Sequence, residues 1–286
     1  MSRVSRRGAC PGRLTAGRLS RAGGRLVATL VRVLTPLLTV AVALALPLLL
    51  PPAAESAVGP LRLVALGDSV PAAQHCPGCL GYVPQLAHDL ADATGRRVGY
   101  TNLAYGGYTS AATLRLLSTP RAASVVAAAD AVVITVGYND INGADAAQAA
   151  GSCSGMACYA PVLPGIQQRL RLIVARVRAL RGQRPTAIRV TDYYNSWYGD
   201  RAAARAHGGT GYWELSRTFT DALNEAITRG AQAAGARVVH LAGAFNGPDE
   251  RGDAGRLLAA DHDHPNQAGH DLIARLVAAA GWAPIR

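Results

Sequence analysis

From residue 61 onward the chain alternates short apolar runs with amphipathic stretches, and this alternation restricts the fold more than any other feature. Residues 61–66, 97–103, 130–136, 186–191 and 236–241 read as strands. Residues 82–93, 109–117, 161–180, 219–234 and 266–280 read as helices. In 82–93, Val83, Leu86, Ala87 and Leu90 fall at i, i+3, i+4 and i+7. In 161–180, Ile166, Leu170, Ile173, Val174 and Val177 share one face, while Arg169, Arg171, Arg176 and Arg178 largely fill the others. Gly235 stops the fourth helix. The run Ala131-Val132-Val133-Ile134 is apolar without alternation, the pattern of a strand covered on both faces. Repeated strand–helix–strand units of this kind predict an α/β fold with a parallel sheet between helices. Residues 142–159 and 195–213 read as long, Gly-rich loops, which are often functional. No internal repeat is visible.

Size and charge narrow the class. The chain has 286 residues, half of them hydrophobic, enough for one α/β domain with a large core. All 29 basic residues are arginine. Eight of them (Arg3, Arg6, Arg7, Arg13, Arg18, Arg21, Arg25 and Arg32) precede residue 57, as does one acid, Glu55. From Ala57 onward the remaining 21 arginines face 17 acids, a net charge of about +4, ordinary for a soluble domain. No basic stripe interleaved with aromatics is present, so no nucleic-acid partner is expected.

The arginine-rich, acid-free start leads into an apolar run over residues 33–50, broken by Pro36 and Pro47. This is the pattern of a signal peptide. Ala54 and Ser56 have the small side chains that cleavage before Ala57 requires. The expected organisation is a signal peptide over 1–56 and one hydrolase domain over 57–286, in a secreted, extracellular protein. The alternative is an uncleaved membrane anchor, since 18 apolar residues reach the lower edge of spanning length. Arg6-Arg7 matches a twin-arginine signal poorly, because Gly8-Ala9-Cys10 follows it.

Five cysteines are present, and Cys10 lies in the leader. The other four form two tight groups. In an exported domain an even count reads as disulfides, and the simplest of three connectivities is Cys76–Cys79 with Cys153–Cys158. Such small loops gain little entropic stabilisation, so their use would be to stiffen a loop. A redox pair at Cys76-Pro77-Gly78-Cys79 and a four-cysteine zinc site are the rivals.

On a parallel sheet, ligands bind outside the carboxyl ends of the strands. Four segments after the strands carry chemistry. The first is Gly67-Asp68-Ser69, where a serine hydroxyl awaits a base; an ordinary capped turn reads the same. The second is Tyr105-Gly106-Gly107, which offers bare N–H groups or merely a flexible turn. The third is Gly137-Tyr138-Asn139-Asp140, with a side-chain amide or an Asx turn. The fourth block comes after the fifth strand, just before the last helix: Asp261-His262-Asp263-His264-Pro265-Asn266. Histidine suits general-base work near neutral pH, and Asp261 stands three residues before His264, within one turn of its imidazole. The same cluster could instead bind a metal through Asp261, His262 and His264, or simply begin the last helix.

Together, in this order, these blocks resemble the four signature blocks of the SGNH (GDSL-type) hydrolase family, over residues 61–282. Asp261-x-x-His264-Pro265 discriminates best. No Gly-x-Ser-x-Gly elbow surrounds Ser69, which separates this chain from α/β-hydrolases. The resemblance implies a three-layer α/β/α sandwich, flavodoxin-like, with a five-stranded parallel sheet. It implies Ser69 as nucleophile, His264 as base and Asp261 as its orienter. It further implies an oxyanion hole from the N–H groups of Ser69 and Gly107 and the Asn139 side chain. Gly106 competes with Gly107, and His262 and Asp263 compete with His264 and Asp261. The cysteine pairs and Thr191-Asp192-Tyr193-Tyr194 also resemble secreted actinobacterial-type lipases and esterases.

The resulting expectation is a serine ester hydrolase of the lipase or carboxylesterase type that works through an acyl-enzyme. It needs no metal and no organic cofactor. A carbohydrate O-acetylesterase of the same fold and a surface binding module with a vestigial site are the alternatives. The expected partner is a small-molecule or lipid ester, with peripheral membrane or cell-wall contact, and the expected state is a monomer. Tyr193, Tyr194, Trp197, Tyr198, Tyr212 and Trp213 could line an acyl pocket or cover the core.

Overall fold

The structure, a computed structural model, describes residues 59–285. The leader, its apolar run, the cleavage site and Cys10 lie outside the described residues. Five strands form one parallel sheet: β1 (Leu61–Gly67), β2 (Val98–Asn102), β3 (Ala131–Thr135), β4 (Ala187–Thr191) and β5 (Arg237–Val239). Their order is β2-β1-β3-β4-β5, and every pair is parallel. The helices are α1 (Tyr82–Thr94), α2 (Ser110–Leu116), α3 (Pro120–Ala127), α4 (Asn142–Ala149), α5 (Met156–Tyr159), α6 (Leu163–Arg181), α7 (Arg201–Ala206), α8 (Gly211–Ala233), α9 (Ala242–Asn246) and α10 (Gln267–Ala279). Among the described residues no helix is long and apolar enough to cross a membrane.

The sheet confirms the physical reading of the strands at its centre. Every residue of β3 and β4 is buried, including Arg189, whose guanidinium donates to the Gly281 and Ala283 carbonyls. The edges differ. All of β2 after Val98 is exposed, because β2 pairs only with β1 and its outer side has no neighbour. Helices flank the sheet: α1 packs with α10, and α6 packs with α2, α3 and α8. The face of α1 read from the sequence, Val83, Leu86, Ala87 and Leu90, is buried as expected. So is the face of α6 formed by Ile166, Leu170, Ile173, Val174 and Val177.

Two expectations need correction. Residues 142–159 are not an irregular loop but contain α4 and α5. Residues 195–213 contain α7, and α8 begins at Gly211 rather than near Phe219. Asp200 caps α7 by accepting from the Ala202 and Ala203 N–H groups. Gly208, Gly209 and Gly211 suggest a loop because glycine is a poor helix former. Gly208 and Gly209 do form the turn between the two helices, with φ +87° and +115°, and only Gly211 is helical; there Tyr212, Ser216 and Phe219 bury one face of α8, and packing overrides the local preference.

The strand order reverses direction at β1. The chain leaves β1 to one side to reach β2, then returns to the other side as β3. The carboxyl ends of β1 and β3 therefore border the crevice where ligands of such sheets bind. Ser69 follows β1 and Asn139 follows β3, so both sequence blocks arrive at this point.

Candidate active site

The turn after β1 depends on Gly67. Its φ is +135°, and a Cβ there would lie 1.9 Å from the Thr135 carbonyl oxygen of β3. Only glycine lets β1 turn this close to its neighbour. Asp68 then accepts the Val70 N–H on Oδ1 (3.1 Å), which shapes the turn and presents Ser69. The Ser69 hydroxyl lies 2.8 Å from His264 Nε2.

His264 sits on a pinned loop before α10. The Ala259 N–H donates to the His264 carbonyl (2.7 Å), the Asn266 N–H donates to the Leu257 carbonyl (2.9 Å), and the Asn266 side chain caps the helix through the Gly269 N–H. His264 Nδ1 lies 2.7 Å from Asp261 Oδ2. The other oxygen, Asp261 Oδ1, accepts the N–H groups of Asp263 and His264, each at 3.1 Å. Burial alone would push the Asp261 carboxyl up, but these backbone donors and the His264 imidazole hold it below its usual range. An ionised Asp261 keeps the His264 proton on Nδ1, so Nε2 faces Ser69 as an acceptor.

The remaining candidates surround the same cleft. Ser69, Gly106, Gly107, Asn139 and His264 line one cavity of about 200 Å³. Gly107 has φ +78°, a left-handed conformation that suits glycine. The backbone N–H groups of Ser69 and Gly107 meet no acceptor among the described residues. Asn139 spends one amide hydrogen on the Tyr108 carbonyl (3.1 Å), which orients the side chain and leaves the second hydrogen. Its turn is anchored through Asp140, which accepts from Ser110 N (2.7 Å), Ser110 Oγ (2.7 Å) and the Arg169 guanidinium (3.0 Å). The sequence reading placed Arg169 only on the polar side of its helix and passed over Ser110, because neither is distinctive on its own helix.

The competitors are placed elsewhere. His262 turns to Asp200 (3.2 Å), so Asp261, His262 and His264 do not converge on one metal. Asp263 Oδ2 is 3.9 Å from His264 Nδ1, and its Oδ1 accepts from Ser196 Oγ (3.0 Å). Asp68 is 1 % exposed and hydrogen-bonds Tyr193, not His264. The aromatic residues divide between both readings. Tyr193 and Tyr194 line the cleft, whereas Trp197 and Tyr212 pack on Phe219 in the core. Tyr198 and Trp213 bind Glu214 and the Asp200 carbonyl.

Burial raises the Asp68 pKa to about 7, opposed by hydrogen bonds from Tyr193 and the Val70 N–H. The folded state thus holds this proton up to about pH 7, while an unfolded chain releases it near 3.8. Stability contributed by Asp68 therefore falls as pH rises through that window. Asp68→Asn keeps an oxygen for the Val70 N–H and stays neutral. Its urea-unfolding free energy is expected to lose that decline, gaining at most about 4 kcal/mol relative to the parent at pH 8 over pH 4. Parallel pH profiles for the two proteins would refute this assignment.

His75 was not anticipated. Its ring stacks on His264 with centroids 4.4 Å apart, and its Nδ1 lies 3.6 Å from Asp261 Oδ2. The only sequence signal is its place beside Cys76. Cys76 and Cys79 are disulfide-bonded, as are Cys153 and Cys158, each pair with Cα atoms 5.4 Å apart.

Comparison with known proteins identifies the family and the fold. The profile of the GDSL-like lipase/acylhydrolase family matches residues 65–272. A search of curated proteins gave no match. Among solved structures, a lipase from a goat rumen metagenome superposes with a TM-score of 0.67 at 18% identity, covering 79% of this chain and 100% of that one. An α/β hydrolase enzyme from the metagenome of Lake Arreo, Spain, gives 0.55 at 22% identity, covering 78% and 95%. An acetylxylan esterase from Geobacillus stearothermophilus, in a catalytic mutant, gives 0.55 at 18% identity, covering 80% and 99%. At these identities the likeness establishes the shared fold.

Proposed function

This chain belongs to the GDSL-like lipase/acylhydrolase family and is a carboxylic ester hydrolase, and we propose that it cleaves small acyl esters through a Ser69-His264-Asp261 triad. The observation that carries the reading is the continuous hydrogen-bonded line from Ser69 Oγ through His264 to Asp261, at 2.8 and 2.7 Å. In the proposed reaction Ser69 Oγ attacks the ester carbonyl carbon while His264 Nε2 takes its proton. The tetrahedral oxyanion collects hydrogen bonds from Ser69 N–H, Gly107 N–H and Asn139 Nδ2. His264 then protonates the departing alcohol oxygen. Water repeats the sequence on the acyl-enzyme, releasing the acid and restoring Ser69.

The cleft supports the choice of acyl group. A cavity of about 200 Å³ lined by Gln74, Asn139, Ser196 and Asp263 suits an acetyl or similarly short chain better than a long lipid tail. The same polar lining favours a hydroxyl-rich alcohol, such as a sugar, as the second reading. The fluorophosphonate test is direct: the probe should label Ser69, identified by peptide mass spectrometry. A panel of acetyl, butyryl and octanoyl p-nitrophenyl esters with an acetylated xylooligosaccharide then ranks acyl and alcohol preference. Labelling at another residue, or none, sinks the triad proposal; octanoate preferred over acetate sinks the short-acyl one. Asn139→Ala is expected to lower kcat about 10²–10³-fold, the usual loss for one oxyanion donor; less than about tenfold would remove Asn139 from the hole.

We also propose that residues 1–56 are an export leader and 57–286 the mature enzyme. The arginine-rich start, the apolar run and the bonded cysteine pairs support this reading. Amino-terminal sequencing of protein from culture medium should begin near Ala57.

A further inference from the structure

We propose that His75, Asp261 and His264 form a zinc-binding site that silences the enzyme when occupied. This inference rests on the triad reading, since silencing requires His264 to be the base. One ring nitrogen each of His75 and His264 and one Asp261 oxygen all lie within 4.8 Å of one another. Asp261 Oδ2 is 2.7 Å from His264 Nδ1 and 3.6 Å from His75 Nδ1. Ligands about 2.0–2.1 Å from a tetrahedral zinc lie about 3.3 Å apart, and these two separations bracket that value. Two imidazoles and a carboxylate are a common ligand set for this ion, with the fourth position left to water.

The surroundings favour a cation. Asp263 Oδ2, 3.9 Å from His264 Nδ1, adds a second carboxylate beside the site. His75 is held there by its loop rather than by its own hydrogen bonds. Its φ is +63°, a left-handed conformation costly for a non-glycine residue. The Cys76–Cys79 disulfide closes the next turn, the Gln74 N–H donates to the Ser69 carbonyl, and the Leu80 N–H donates to Gln267 on α10 (2.7 Å). The His75 side chain is half exposed and forms no hydrogen bond among the described residues, so its ring can turn Nδ1 toward an ion. The loop thus carries an imidazole to the outer face of the triad.

Occupancy stops the chemistry for a defined reason. Zinc bonds to His264 Nδ1 only after that nitrogen gives its proton to solvent, and the His264–Asp261 hydrogen bond is then lost. The positive charge on the ring withdraws basicity from Nε2, which no longer accepts the Ser69 proton. No bond of the substrate is involved, and a chelator restores the free triad.

The experiment separates binding from turnover. Ser69→Ala protein, full length and folded, is titrated with CoCl2 and read for the visible bands of four-coordinate cobalt. Bands are expected, and they should vanish in the Ser69→Ala/His75→Asn double variant. Asparagine tolerates the left-handed backbone at residue 75 but supplies no imidazole. In parallel, p-nitrophenyl acetate turnover by the parent and by His75→Asn is followed against ZnCl2. Losing a residue that merely hydrogen-bonds to a metal ligand already costs about 10–100-fold in affinity, so deleting a direct ligand should raise the half-inhibitory zinc concentration at least about tenfold. EDTA should return full activity. Absence of cobalt bands in Ser69→Ala, or equal zinc sensitivity of the parent and His75→Asn, overturns the proposal. Failure of the triad reading shows separately, as undiminished turnover by Ser69→Ala without any metal.

Discussion

Ser69→Ala is expected to lower kcat on p-nitrophenyl acetate by about 10⁵–10⁶-fold, with the protein still folded. The size follows from how the three residues act together. Without the hydroxyl no acyl-enzyme forms, and His264 and Asp261 have nothing to activate. Triad members are strongly non-additive, so His264→Ala should cost about the same and the double variant little more. A residual acceleration of about 10³–10⁴ over water would remain from the oxyanion donors and substrate binding. Ser69 is also cheap to truncate structurally, since its turn is held by Gly67 and by Asp68 bonded to the Val70 N–H. Circular dichroism and urea unfolding should therefore match the parent. Turnover within tenfold of the parent would remove Ser69 from the mechanism.

Asp261→Asn is the second large effect, about 10⁴-fold in kcat, while Asp263→Asn should cost less than about tenfold. The contrast comes from the two carboxylates' partners. Asp261 Oδ1 accepts two backbone N–H groups, and an asparagine can keep both through its oxygen. Its NH2 then faces His264 Nδ1, 2.7 Å away, and demands an acceptor there. The His264 proton moves to Nε2, the wrong tautomer for taking a proton from Ser69. Asp263 holds Ser196 rather than the imidazole, so its amide disturbs no tautomer. Steady-state kinetics of both variants, with unfolding midpoints as control, decide the matter. Similar losses in the two would mean that the acids share the orienting role.

How much of this was legible depended on how local each feature is. The central strands were legible because a strand buried on both faces is a continuous apolar run, and β3 and β4 are buried throughout. Helices α1 and α6 were legible because one turn repeats every few residues and their apolar faces show it. α7 and the first turns of α8 were not. α7 holds four alanines and two arginines and was hidden by Gly199, Gly208 and Gly209 around it, whereas the first turns of α8 carry Gly211 and are held by Tyr212 against Trp197. The Asp261–His264 pair was legible because both residues lie within one turn. Its connection to Ser69, 195 positions away, was visible only as a set of motifs.

The sequence by itself placed the candidate side chains after the strands and just before the last helix and, through the family resemblance, the reaction class. Strand ends are set by short-range apolar patterning, and an Asp three residues before a His needs no tertiary help to meet it. Tertiary structure alone decided three other matters. It desolvated Asp68 beneath Tyr193 and thereby raised its carboxyl to about 7. It sent His262 to Asp200 and away from His264. It laid His75 on the His264 ring, just ahead of a disulfide-closed turn. Each depends on where distant segments pack, and on how much water that packing excludes, and neither quantity is written in any short stretch of chain.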